Sequence, residues 1–388
     1  VLARFHKIPR LRFEDQRLTS FGGVIVFQVL FQRLNLKARL KQCFQPVKGS
    51  AIFGPHRIVL LLIVHLLLGF RRLRDVDYYR DDPLVRRLLG LHRLPDVATL
   101  CRTLAAMGRD SVQKVRQLSS ALVLDALQRE GFPRLTLDFD GSVTSTRGHA
   151  EGTAAGYNTR KKEATTCTAR WRMDNFDRVR TLLPATVLES RLDSAFFSHK
   201  TLTLMDLYGV ECTVSVPFER FPVLKQMIEA RQRWRPLDGE RSYFESDWKP
   251  DSWSATYRFL FVRRKVQRQM KGPLQLDLFE PRDIDHDYRV VVTNKTVSAH
   301  RVLLFHYGRG SEEGIFAEGK QHAGRDLIPT RRLLGNQTVT LCAMMAHNLG
   351  REMQMLAQPH GEWTLTLSAN PTVKKDLLHF LDALQKAA

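Results

Sequence analysis

The chain has 388 residues, 43% of them hydrophobic, enough for two or three domains with cores of their own. Sixty Lys and Arg against forty Asp and Glu leave a formal charge of +20, which favours a polyanionic partner such as nucleic acid over an acidic metabolite, a generally basic proteome being the blander account. The five cysteines, Cys43, Cys101, Cys167, Cys212 and Cys342, never fall in a C-x-x-C spacing, which argues against a disulfide framework or a zinc site and fits a reducing compartment.

Residues 1–50 mix arginines, glycines and short apolar runs such as Val24 to Phe31 and assign themselves no role; the sequence opens on Val1 rather than Met, which an alternative start codon or a truncated reading frame would explain. Nothing resembles a signal peptide. Ile58 to Phe70 is the most hydrophobic run, but at thirteen residues with His65 inside it falls short of the roughly 20 needed to span a membrane, so a buried helix or a helix packed under a sheet is expected. The pattern stays helical to about Arg129. Asp81, Asp82 and Pro83 open a helix that ends at Gly90, and Pro95 and Asp96 open another that stops before Gly108. Two short helices with a four-residue connection, rich in Arg86, Arg87, Arg93 and Arg102, suit a helix-turn-helix that grips phosphates; a helical hairpin with a solvated basic face has the same pattern.

Leu135 to Ser145, LTLDFDGSVTS, follows. With period two, Leu135, Leu137 and Phe139 share one face of a strand and Thr136, Asp138 and Asp140 the other, with Gly141 ending it. Taken alone, such a pair is more often a solvated strand end than a metal site. Residues 147–158, rich in Gly and basic residues, read as a loop or hairpin near the acids, and Ala185 to Phe197 as a strand with Asp193 near its C-terminal end. Helix Leu202 to Tyr208 and strand Val210 to Val216 complete an α/β succession. From Pro217 to Val292 aromatic and charged segments read as antiparallel strands, whose Trp234, Trp248, Trp253 and Tyr257, interleaved with arginines, offer base-stacking surfaces or ordinary core. Ser311 can cap a helix in which Glu313 and Lys320 line one stripe, joined by Arg309 if the helix begins early, although Gly308, Gly310, Gly314 and Gly319 work against it at roughly 1 kcal/mol each. A helix from Gln337 to Gln358 packs behind.

Asp140 and Asp193 at strand ends and Glu313 on a later helix supply three carboxylates from distant segments. Such a set suits two divalent ions about 3.5 to 4 Å apart for in-line phosphoryl transfer. Oxygen ligands without a Cys or His cluster point to Mg²⁺ or Mn²⁺.

These segments resemble the DDE transposases of bacterial insertion sequences, in the branch named for insertion sequence 1380 within the insertion sequence 4 group. The carrying residues are LTLDFDGSV with RGHAEGTAAGYN, RLDSAFFS with VECTVSVPFERF, KGPLQLDLFEPRD with YRVVVTNKT, and GRGSEEGIFAEGK with PTRRLLGNQTVTLCAMMAHNL, across most of residues 130–388. The resemblance implies Asp140, Asp193 and Glu313 as catalytic and metal-holding acids, with Asp138 the alternative first acid. It implies that Arg309 and Lys320 hold DNA phosphates, in an R-x3-E-x6-K signature whose preceding tyrosine position falls on His306, beside Tyr307. The implied fold is an α/β, RNase H-like catalytic core with a β-rich insertion, preceded by a helical N-terminal domain and followed by C-terminal helices. The expected boundaries are a DNA-binding region at 1–130, the first part of the core at 131–216, the insertion at 217–295, and the glutamate-bearing end of the core with the tail at 296–388. The implied partners are double-stranded DNA, both terminal inverted repeats and target, bound by a dimer in the bacterial cytoplasm with no membrane association, for cut-and-paste transposition.

Between Asp140 and Asp193, EATTCTARWRMDNF departs from the family pattern, so the core is expected to be shortened near 160–175, exposing the edge of the strand that carries Asp140. Impaired activity, or a catalytically inactive DNA-binding remnant, would follow. A third reading takes DFDGS as the nucleophile motif of a haloacid-dehalogenase-like phosphohydrolase, with Asp138 attacking phosphate. It needs a later apolar strand ending in paired acids, which the sequence lacks, and leaves the +20 charge unexplained.

Overall fold

The computed structural model describes residues 19–45, 52–138, 144–145, 149–154, 165–166, 179–266, 286–308, 318, 324 and 327–357. In chain order the helices α1 (Ile25–Arg33), α2 (Leu36–Cys43), α3 (Pro55–Leu67), α4 (Pro83–Leu89), α5 (Val97–Ala105) and α6 (Arg109–Glu130) come first. Strand β1 (Arg134–Asp138), the two-residue strands β2 (Thr144–Ser145), β3 (Thr153–Ala154) and β4 (Thr165–Thr166), and β5 (Val187–Leu192) follow. Next are α7 (His199–Leu207), β6 (Glu211–Val216), α8 (Pro222–Glu229), β7 (Arg235–Pro236), β8 (Arg241–Trp248), β9 (Tyr257–Lys265) and β10 (His286–Thr293). Helices α9 (Ala299–Tyr307) and α10 (Leu333–Ala357) close the series. The chain divides into two compact units, one within residues 1–126, 144–167 and 318–388, the other within 127–143 and 168–317.

The first unit is built around α3. Every residue from Ile58 to Leu66 is buried, as the apolar run led us to expect. They pack with Leu30, Leu36, Leu40, Leu88, Leu100, Val115, Cys342 and Met345 in one core, so α10 belongs with the N-terminal helices. His65 is accommodated by a 2.7 Å hydrogen bond between its Nδ1 and the Tyr79 hydroxyl, and burial lowers its pKa to about 4. Among the described residues no helix is long and apolar enough to cross a membrane. β2, β4 and β3 form a small antiparallel sheet in that order.

Local chemistry sets the α4 and α5 boundaries. Asp82 accepts hydrogen bonds from the Leu84 and Val85 amides at the start of α4, and Gly90, at φ 68°, ends it. Asp96 caps α5 through the Thr99 amide at 2.6 Å. The connection runs from Gly90 to Asp96, longer than the four residues expected, because the left-handed turn at Gly90 stops α4 early and the extended backbone at Asp96 delays α5.

The second unit is a seven-stranded sheet in the order β1-β5-β6-β10-β9-β8-β7. β1, β5 and β6 run parallel, with α7 crossing between β5 and β6; β10, β9, β8 and β7 continue antiparallel. The strands read as an insertion therefore extend the sheet that carries Asp138. Among the described strands β1 forms one edge of this sheet. One face is apolar: Leu188, Leu192, Val214, Phe259 and Phe261 are buried there, and Phe197 and Phe221 meet Phe259 and Trp248 edge to face. The other face is polar at β1, β5 and β6. It turns apolar at Leu260, Val262 and Val291, where Ala299, Val302 and Leu303 of α9 pack.

Candidate functional site

The polar face begins with a pairing fixed by register. In the parallel β1–β5 ladder Asp138 stands opposite Arg191. The Arg191 Nε donates to Asp138 Oδ1 at 3.0 Å and its Nη2 reaches Oδ2, so guanidinium and carboxylate meet fork to fork. Both side chains are largely buried, at 14% and 15% exposure. Two residues further along, Asp193 continues the extended backbone past β5 at φ −81°, ψ 179°. Its Oδ1 accepts from the Ala195 amide at 2.9 Å, opening the 3-10 turn Ser194–Phe196. Asp138 and Asp193 thus lie at the C-terminal ends of adjacent parallel strands. Asp140, Glu313, Arg309 and Lys320 lie outside the described residues.

α9 is fastened across this face by His306, the residue at the tyrosine position of the signature. Its buried ring bonds Thr213 Oγ1 through Nδ1 and Ser215 Oγ through Nε2, each at 3.0 Å. Phe305 lies under the Arg191 guanidinium, 5.4 Å from its ring centroid, and under Lys295 Nζ at 4.4 Å. The turn after α9 comes so close that a Cβ on Gly308 would sit 2.6 Å from Arg191 Nη1. Arg309 is the next residue in sequence and Glu313 the fifth after Gly308.

Below the acids, toward the N-terminal ends of the parallel strands, is an ion cluster not singled out by sequence. Buried Lys295 donates to Glu189 Oε2 at 2.5 Å and also to Glu211 Oε2; Arg134 meets Glu189 at 3.0 Å and Glu211 at 2.8 Å. Burial alone would raise the Glu211 carboxyl pKa, but the hydrogen bonds and charges of Lys295 and Arg134 prevail and lower it. The signals were the polar residues Glu189 and Arg191 alternating inside an apolar strand and Lys295 closing VVVTNK, but only the register shows that they face one another.

Of the arginines expected to grip phosphates, Arg86 is taken up locally: its Nε donates to the Arg80 carbonyl at 2.9 Å and its Nη2 pairs with Asp81. Arg102 is exposed and reaches Thr99 Oγ1 at 3.2 Å, and Arg87 is exposed. Trp253 and Tyr257 are core, the former stacked on His199 and the latter bonded to Asp206, which withdraws both from base stacking. Trp234 carries Arg263 over its ring at 4.7 Å.

Among the described residues no three His, Cys, Asp or Glu side chains converge as a metal site. The expected donor set is all oxygen, which is the chemistry that hard divalent ions prefer, and Asp193 is its described member.

Fold and site define a class: a mixed α/β protein whose adjacent parallel strands carry acids to their C-terminal ends. Residues 3–165 match the family model described as transposase DDE domain group 1, which supports a DDE transposase family. The match takes in β1, Asp138 and Asp140 and ends before Asp193. A comparison with curated proteins found no match.

Proposed function

We propose that the chain is a DNA transposase of a bacterial insertion sequence, of the insertion sequence 1380 branch in the insertion sequence 4 group, with an RNase H-like core. The observation that carries this reading is the β1–β5 register together with the family match. Asp140 follows Asp138 by two residues as Asp193 follows Arg191, so the two acids stand at equal offsets from a registered pair. Gly308, which lies against Arg191, precedes Glu313 by five residues in sequence and supports the same reading.

In this reading Asp140, Asp193 and Glu313 hold two Mg²⁺ or Mn²⁺ ions, which when bound supply Lewis-acid stabilisation of charge on the phosphate. The chain's own residues position the DNA. Arg309 and Lys320 hold phosphates at the element end, so that water cuts the strand, leaving a 3′-hydroxyl and a 5′-phosphate, and that hydroxyl then attacks a target phosphodiester and displaces its 3′-oxygen. Asp138 serves Arg191 and is not the first acid. The same engagement speaks against the phosphohydrolase reading, which requires Asp138 free to attack. A dimer gathers two element ends, in the cytoplasm. Residues 1–130 add DNA contacts through the exposed Arg87 and Arg102, while Arg86 is held by Asp81 and the Arg80 carbonyl.

A second reading, a DNA-binding remnant without catalysis, is favoured by the departing segment before Asp193 and by β1 as an edge among the described strands. Incubation of the chain with Mg²⁺ and a labelled duplex carrying its element's end decides between them. The transposase reading expects cleavage that Asp140→Ala, Asp193→Ala and Glu313→Ala each abolish. Binding without cleavage establishes the remnant.

A further inference from the structure

The sheet places a second feature on the face and at the end where Asp138 and Asp193 lie. β6 runs parallel to β5 and antiparallel to β10, so the C-terminal ends of β1, β5 and β6 adjoin the start of β10, the end of β9, the start of β8 and β7. Residues opposite one another in a ladder share a face. Asp138, Arg191 and Thr213 are in one row, and Thr213 pairs with Thr293. Counting by twos from Thr293 along β10 gives Val291, Arg289 and Asp287 on that face. Arg289 pairs with Val262, and Asp287 with Arg264. Arg264 in turn faces Arg241, and Tyr243, the partner of Val262, faces Arg235. Four consecutive strands, β10, β9, β8 and β7, therefore each contribute one arginine to one end of the face: Arg289, Arg264, Arg241 and Arg235.

Their carboxylate partners are loose. Arg264 meets Asp287 at 3.6 Å with both side chains about half exposed, and Arg235 meets Glu245 at 3.5 Å while 68% exposed. Exposed pairs at such distances contribute little and yield readily to a phosphate. Arg241 is the better anchored, paired with Asp238 and lying 4.5 Å over the Tyr307 ring. Tyr307 ends α9, so this anchor ties the row to the helix whose following turn touches Arg191.

We infer that Arg289, Arg264, Arg241 and Arg235 form a track for the phosphodiester backbone of duplex DNA, leading away from the acids along the sheet. The inference rests on the proposed reading of the chain as a DNA-processing protein and extends it to the sheet's own strands. Strands lie about 4.8 Å apart, which puts β10 about 10 Å and β7 about 24 Å from β5. At about 3.4 Å of rise per nucleotide the track meets phosphates roughly three to seven nucleotides from the bond held at the acids. Isolated phosphate gains nothing from four points in a row, whereas a polymer backbone does.

The test is fluorescence anisotropy of the full chain with a short mixed-sequence DNA duplex over a range of NaCl. Arg264→Gln and Arg289→Gln should each lower the slope of log affinity against log salt by about 1, and the pair by about 2. Arg289→Lys should keep the slope, and Lys249→Gln, at the opposite end of β8, should leave it unchanged. Inorganic phosphate at matched ionic strength should not compete. Unaltered slope in the double variant, an equal loss in Lys249→Gln, preference for single-stranded RNA, or no binding would each overturn the track. Cleavage of the element end with an unaltered slope would sink the track and leave the transposase reading standing. A lowered slope without cleavage would do the reverse.

Discussion

Arg191 holds Asp138 across the β1–β5 ladder while its far end lies against Gly308, so one guanidinium ties a strand carboxylate to the turn that leads toward Arg309 and Glu313. Removing one member of a buried pair strands the other charge, at about 3–5 kcal/mol when burial is complete. With both side chains slightly exposed, Arg191→Ala should cost about 2–3 kcal/mol in urea unfolding of the second unit. Adding Asp138→Ala should recover part of that loss; strict additivity would show that the pair is not coupled.

Gly308 has φ −60°, which any residue adopts, so Gly308→Ala adds no backbone strain, and the clash of its Cβ is set against a gain of about 0.4–1 kcal/mol from the stiffer unfolded chain. Its Cβ would meet Arg191 Nη1 at 2.6 Å and the Phe305 carbonyl at 3.3 Å. Because Asp138 holds the guanidinium in place, the substitution should cost about 1 kcal/mol, the low end of overpacking. In an Arg191→Ala background the cost should largely vanish, which thermal melts of the four combinations would show.

Lys295 lies beneath two carboxylates, and Glu189 is 5% exposed. Lys295→Met should destabilise by about 2–3 kcal/mol, less than the full cost of stranding a buried charge because Arg134 still meets Glu189 at 3.0 Å. Glu189→Gln in the same chain should restore much of it, measured by denaturant midpoint at neutral pH. Glu211 adds a pH dependence. Its folded pKa is lowered, so its contribution is full above the unfolded value near 4.5 and disappears as pH falls through the folded value. An acid titration of wild type against Glu211→Gln should show the two converging below about pH 4.5, as the wild type loses the contribution that the variant lacks.

His65 titrates with the same sign from the opposite charge type. Its pKa is lowered from 6.5 to about 4, so between those values the unfolded chain binds the extra proton and stability falls with pH. The loss should amount to about 3 kcal/mol across the window and stop below pH 4, where both states are protonated. His65→Gln should remove this component. Identical profiles for wild type and variant from pH 6.5 to 4 would contradict the assignment.

Much of the local structure is legible in residue order because its causes are local. The all-round apolar character of Ile58 to Leu66 dictates a buried helix, Asp82 with Pro83 and Asp96 mark helix starts, and alternation puts Asp138 on the polar side of β1 with Asp193 just past the end of β5. The sequence by itself also determined the charge that calls for a polyanion. Tertiary structure alone decided who faces whom. That β7 to β10 extend the sheet of β1, that Arg191 is opposite Asp138, and that Lys295 returns beneath Glu189 and Glu211 depend on ladders closing over 50 to 100 residues of chain. Periodicity gives the face of a strand but not its neighbour or register, since those are set by the burial of all strands together.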